Sequence, residues 1–231
     1  KKVLLVDLDP QGNATMGSGI EKNECEKTVY DALVGKAKAK DVIQHAKECH
    51  YDVFPSNREL AAAEIEILEI RNRDNQLKKI LSTVADEYDF ILIDCPPSLS
   101  VITVNAFCCA IGVIIPMQCE YFALEGLSDL VNTIKRVRQN KNENLKVVGL
   151  LRVMFDPRIT LQQQVSDQLK ENFGDRVFDS VIPKNVRLAE APSYGLPGVL
   201  YDPNSRGAQG YLAFAKELLK RVGSGILEED E

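Results

Sequence analysis

Three carboxylates occupy positions suited to a hard cation. Asp7 and Asp9 stand two residues apart at the end of an apolar run in VDLDPQGNAT, and Asp94 closes a second run in FILIDCPPS. Pro10, Gly12 and Asn13 force a tight turn after the first pair, while Pro96 and Pro97 stop the strand after Asp94 and stiffen the next loop. Carboxylates at neighbouring strand ends suit Mg2+, which keeps several waters and takes few protein oxygens alongside phosphate. Four apolar residues followed by Asp is also the Walker B arrangement. Each strand end alone reads equally well as an Asp that caps the next turn. The two together point to phosphate chemistry.

Such residues act only if a frame holds the strand ends side by side. Lys2–Asp7 (KVLLVD), Phe90–Asp94 (FILID), Gly112–Met117 (GVIIPM) and Lys146–Phe155 (KVVGLLRVMF) are continuous apolar runs of the kind buried in parallel sheets. Val177–Ile182 is a shorter candidate, and Tyr51–Phe54 reads as an edge strand. Leu124, Leu127, Leu130, Val131, Ile134 and Val137 share one helical face, as do Leu212, Ala215, Leu218, Leu219 and Val222. Glu59–Asp86 reads as helix in two pieces, and Leu161–Phe173 as another helix. This alternation predicts an α/β fold: a doubly wound, mostly parallel sheet with helices on both faces and ligands at the carboxyl ends of the strands. Residues 1–222 read as one domain and 223–231 as a flexible acidic tail. A core strand starts at residue 2, so the fold is expected either to begin unusually or to lack its N-terminal unit.

Composition narrows the function classes. The chain has 231 residues, 45% hydrophobic and 27% charged, which are ordinary globular values. With no Trp and 6% aromatics, a base-stacking platform is not expected. The formal net charge is −6, but Glu228, Glu229, Asp230 and Glu231 supply four of those charges. A uniformly basic binder is excluded; a local basic patch is not. The six cysteines form no C-x-x-C pair, and His45 and His50 fall in no zinc spacing, so the thiols read as reduced packing residues of a cytoplasmic protein. The apolar run Ala106–Met117 is too short to span a bilayer.

VLLVDLDPQGNAT, YDFILIDCPPSLS, VIIPMQCEYFALEGL and VIPKNVRLAEAPSYGLP together resemble the ParA/Soj family of chromosome- and plasmid-partitioning ATPases, over Lys2 to about Val222. The resemblance implies a P-loop-type ATPase switch that uses ATP and Mg2+. Asp9 matches the family carboxylate that orients the attacking water, Asp94 the Walker B carboxylate, and Asp7 a contact to a magnesium-bound water. Pro97 and Ser98 match the switch that senses the terminal phosphate. Pro183 and Asn185 match the segment that recognises adenine, although Asn185 reads equally as a helix cap before Val186. The family's phosphate loop, K-G-G-V-G-K-T-T, precedes the strand equivalent to Lys2–Asp7 and does not occur in this sequence. Its amides and lysines cradle the phosphates. The 231 residues are therefore expected to be an ATPase without its first strand, phosphate loop and first helix, and inactive as they stand; the alternative is a degenerate, non-enzymatic homologue.

The resemblance also implies an ATP-bound homodimer, nonspecific DNA binding on the bacterial nucleoid, and hydrolysis stimulated by a ParB-type partner. Residues 184–221 carry a net +3, with Lys184, Arg187, Arg206, Lys216, Lys220 and Arg221 against Glu190, Asp202 and Glu217. As a patch the cations suit phosphate contacts; singly, each reads as solvated surface. A MinD-like membrane ATPase is the remaining alternative. It is disfavoured because anionic lipid would repel the ending GSGILEEDE, and no membrane partner is expected.

Overall fold

Alternate residues of the first apolar run point to opposite sides of a sheet, and both sides are covered. A computed structural model describes residues 1–224. The chain runs β1 (Val3–Asp7), α1 (Asn13–Gly17), α2 (Val29–Leu33), α3 (Ala39–Val42), β2 (Gln44–Ala46) and β3 (Tyr51–Phe54). It continues through α4 (Leu60–Glu66), α5 (Gln76–Leu81), β4 (Phe90–Asp94), α6 (Val101–Cys109), β5 (Gly112–Met117) and α7 (Ala123–Asn140). It ends with β6 (Lys146–Phe155), α8 (Thr160–Phe173), β7 (Val177–Pro183), α9 (Val186–Glu190), α10 (Gly198–Tyr201) and α11 (Arg206–Gly223). The fold is α/β with mostly parallel strands. No helix among the described residues is long and apolar enough to cross a membrane.

The described chain divides into two compact units. The first, residues 1–109 and 190–200, holds a four-stranded sheet in the order β2-β3-β1-β4. Leu4, Val6 and Leu8 pack with Leu60, Leu77 and Ile102 on one side. Leu5 lies against Ile20, Ala46 and Val53 on the other. Strand β1 runs parallel to both β3 and β4, and its last residue, Asp7, pairs in register with Asp94. Tyr51–Phe54 is not the edge expected of it: the three-residue β2 pairs antiparallel outside it. The helical stretch from Glu59 does break in two, α4 and α5.

The second unit, residues 110–189 and, among the described residues, 201–224, holds the parallel sheet β5-β6-β7. Val148, Leu151, Phe178 and Ile182 form its core against Phe214 and Leu218 of α11. Phe178 meets Phe214 edge to face at 4.9 Å. The inward face of α11 differs from the periodic reading. Gly207 and Ala208 are buried and Phe214 and Leu218 touch the core, while Leu212 and Leu219 are exposed. Gly210 explains the rotation, because a Cβ there would stand 3.0 Å from the Val181 carbonyl; the helix lies closest to β7 along its glycine side. Of the expected tail 223–231, Gly223 ends α11 and residues 225–231 lie outside the described residues.

Candidate functional site

The turn after β1 is built around a buried carboxylate. Asp7 is fully buried, and its two oxygens are shared among three donors. Oδ1 accepts the Asp9 N–H at 3.0 Å; Oδ2 accepts the Thr15 N–H at 2.8 Å and the Thr15 hydroxyl at 2.7 Å. Burial raises its pKa, and the Thr15 bonds oppose that rise. Ser56, just beyond β3, closes the arrangement. Its N–H donates to Thr15 Oγ1 at 3.0 Å and its hydroxyl to the Asp9 carbonyl at 2.8 Å. Gly12 stands at φ +62°, where a Cβ would lie 2.7 Å from the Ser56 carbonyl, so the turn admits only glycine. The Lys22 amine donates to the Gln11 carbonyl across the outside of the turn.

Asp9 is half-buried, and its Oδ1 accepts the Gln11 N–H at 2.9 Å. The β1–β4 pairing extends one bond further, from the Leu8 N–H to the Asp94 carbonyl at 2.8 Å. Asp94 therefore ends its strand beside the carboxylates of Asp7 and Asp9. The side chain remains open to solvent. Displacement of water by surrounding protein, and then the charges of Asp7 and Asp9, push its pKa up to about 6. Cys95 follows, and burial pushes its thiol up to about 12, which leaves it unreactive at neutral pH. Pro97 and Ser98 are exposed in the loop to α6, anchored by the Thr103 hydroxyl donating to the Ser98 carbonyl at 2.7 Å.

Among the described residues, no group of three or more His, Cys, Asp or Glu side chains is arranged to hold a metal by itself. The donor set nevertheless fits a magnesium ion. It consists of hard oxygens in mutual repulsion, one of them open to solvent, and the ion's remaining ligands would be phosphate and water. Asp94 is the side chain free to touch such an ion. The oxygens of Asp7 are already taken by protein donors.

The second unit holds the other predicted residues. Pro183 ends β7, and Asn185 Oδ1 accepts the N–H groups of Arg187 at 2.8 Å and Leu188 at 3.3 Å, so its carbonyl caps α9. Lys184, Arg206, Lys216 and Lys220 are exposed, and Arg187 reaches Asp202 at 3.5 Å. Arg221 is turned inward instead. Its guanidinium donates to the Val177 carbonyl at 3.0 Å and to Glu217 at 2.8 Å, and it stacks 4.0 Å over the Phe178 ring. Beyond β5, Leu127 of the apolar α7 face is buried, and Tyr121 and Phe122 are 75% and 73% exposed. With Ile159 and Leu161 they line an open cavity of about 690 Å3.

Sequence reasoning passed over Thr15 and Ser56. Ser56 had one available signal, the Pro-Ser pair that ends an apolar run in FPSN, where a hydroxyl commonly bonds to neighbouring backbone. Nothing in its spacing links it to Asp9, 47 positions away.

A family model described as "AAA domain" matches residues 1–147. The sporulation initiation inhibitor protein Soj of Bacillus subtilis strain 168 is 51% identical over 218 residues, 94% of this chain and 86% of that protein. The chromosome partitioning protein ParA of Myxococcus xanthus strain DK1622 is 44% identical over 221 residues, 96% and 78% of the two chains. Cobyrinic acid a,c-diamide synthase from Mycobacterium smegmatis, solved with bound ADP and magnesium, superposes with a TM-score of 0.84 at 32% identity. That alignment covers 97% of this chain and 84% of the other.

Proposed function

This chain belongs to the ParA/Soj family of chromosome-partitioning ATPases, and from that membership we propose that it is a nucleotide switch for DNA segregation. The observation that supports this best is the meeting of Asp9 and Asp94 at the carboxyl ends of two adjacent parallel strands. Ligands of open α/β sheets bind at such ends. The site would take ATP and a magnesium ion; a solved relative carries bound ADP and magnesium. The ion, when bound, neutralises charge on the phosphate oxygens. Asp94 would hold it from β4 through its carboxylate. Asp9 accepts a hydrogen bond from the attacking water and orients it toward the terminal phosphate. Asp7 keeps the Asp9 backbone in place, and Ser98, in the loop after β4, offers its N–H to the phosphate that hydrolysis removes. Pro183 and Asn185 match the family segment assigned to adenine, although the Asn185 carbonyl is already engaged in capping α9.

The switch reading extends to assembly. ATP favours a homodimer, the dimer binds DNA nonspecifically, and a ParB-type partner stimulates the hydrolysis that returns monomers from the nucleoid. The exposed Lys184, Arg206, Lys216 and Lys220, with Arg187, supply the phosphate contacts, and such binding weakens steeply with salt. Arg221 is not counted among them, because its guanidinium is bound within its own unit.

The decisive experiment is Asp9→Ala in protein that carries the K-G-G-V-G-K-T-T loop ahead of Val3. ATP-dependent dimerisation, read by light scattering, should persist while turnover falls by about 100-fold or more. Turnover at the wild-type rate would overturn the role of Asp9.

A further inference from the structure

All three backbone and side-chain polar groups of Ser56 meet the turn that carries Asp9. Its N–H reaches Thr15 Oγ1, its hydroxyl reaches the Asp9 carbonyl, and its own carbonyl lies over Gly12. Thr15 continues the path, donating to Asp7, which in turn receives the Asp9 N–H. The result is a closed ring, Asp7–Thr15–Ser56–Asp9, buried at Asp7, Thr15 and Ser56, that holds both the N–H and the carbonyl of Asp9. Ser56 and Thr15 are fully buried and come from different parts of the fold, the segment just beyond β3 and the first turn of α1. A hydroxyl placed there is held by the core, whereas the other bonds of the Asp9 turn come from Gln11 and Gly12 within the turn and from Lys22 at the surface. Groups that act on a reacting water must be held to within a fraction of an ångström, and small misplacements are costly.

We propose that Thr15 and Ser56 are positioning residues for Asp9: together they fix its backbone, and so the direction in which its carboxylate points. Neither residue touches the reacting atoms. The inference rests on Asp9 serving hydrolysis, and its test separates the two claims.

Hydrogen exchange is read at the Gln11 and Gly12 amides, which bond to the Asp9 carboxylate and carbonyl. Ser56→Ala removes one partner of that carbonyl. Thr15→Val keeps the shape of the side chain and removes both hydroxyl bonds, while Thr15→Ser keeps them. Ser56→Ala and Thr15→Val should each speed exchange at Gln11 and Gly12 about tenfold, with the β1 amides unchanged. In the loop-bearing protein, kcat should fall about tenfold with KM within about twofold, and Thr15→Ser should restore both readouts. A merely structural role would lower the melting temperature without a selective change at these two amides or in kcat. Wild-type exchange in both variants overturns the inference, whatever Asp9→Ala does. If exchange quickens but Asp9→Ala hydrolyses ATP normally, the positioning stands and the hydrolytic role of Asp9 falls.

Discussion

Asp7 and Arg152 are the two charged side chains that the described residues bury, one in each unit, and they are satisfied in opposite ways. Asp7 takes its three donors from Asp9 and Thr15, within the eight residues that follow it. Arg152 reaches across the second unit, donating to Ser166 of α8 at 2.8 Å and to the carbonyls of Phe178 and Asp179 on β7 at 2.7 and 3.1 Å. Both oxygens of Asp7 are used, while Arg152 Nε has no hydrogen-bond partner. A buried charge satisfied by its own loop shapes that loop. One satisfied across elements ties a frame together. The carboxylate organises chemistry beside it, and the guanidinium holds strands to a helix.

The largest effect that would sharpen this contrast is expected at Arg152. Arg152→Ala leaves a buried hydroxyl and two carbonyls without a donor, and a void where the side chain packed. Together these should cost about 3 kcal/mol in denaturant unfolding. Arg152→Met fills most of the void and should recover about 1 kcal/mol. In both variants hydrogen exchange across Asp9–Thr15 should stay at the wild-type pattern. Faster exchange there would break the distinction between frame and site.

A smaller loss of stability with a larger loss of order at the site is expected from Asp7→Asn. Each Asp7 oxygen accepts at least one N–H, so either orientation of an amide sets an N–H against a donor. The cost should be about 2 kcal/mol, again from denaturant unfolding. Exchange at Asp9 and Thr15 should quicken while α8 and β7 remain unaffected. A uniform loss over the whole chain would make Asp7 another frame residue.

Much of this frame is legible in the residues, and the reasons it is legible also mark where reading stops. Phe90–Asp94, Gly112–Met117 and Lys146–Phe155 are strands over the predicted spans, but only Lys146–Phe155 is buried along most of its length; Phe90–Asp94 and Gly112–Met117 are mostly half-buried, and Leu92 is exposed. Strand β2 leaves no apolar run: QHA is three residues long and lies at an edge, so Tyr51–Phe54 looked like the border. Helix α11 was recognisable from its period, but its inward face is set by close approach at Gly207 and Gly210, which hydrophobicity does not record. The acidic strand ends could be read because carboxylates at such positions are chemically unusual. Thr15 and Ser56 could not, since a hydroxyl becomes informative only once its partner 41 positions away is known. Asn185 was open between adenine contact and helix cap, and its carbonyl oxygen caps α9. Arg221 looked like its basic neighbours until its guanidinium was seen bound among β7, Glu217 and Phe178.

The smallest predicted effect concerns the third carboxylate, Asp94, which is charged and open where Asp7 is charged and enclosed. Its pKa is pushed up to about 6 in the fold, against about 3.9 in an unfolded chain. Between about pH 4 and pH 6 the folded protein therefore holds more protons than the unfolded one, and stability from this group falls as pH rises. Below that window Asp94 is neutral in both states and costs nothing. Above about 6 it is ionised in both, and the full cost of its desolvation and of the repulsion from Asp7 and Asp9 is present. Asp94→Asn should flatten this part of the stability profile and melt slightly higher than wild type at pH 7, with the difference vanishing near pH 4. Because solvent reaches the side chain, the gap should be small. Added Mg2+ should narrow it in the wild type, since a cation at Asp94 favours the ionised form, and should leave the Asn variant unmoved. Melting curves at half-unit steps from pH 4 to 7, with and without Mg2+, check both points. A wild-type profile parallel to that of Asp94→Asn across the whole range would mean that the three carboxylates do not form one electrostatic site.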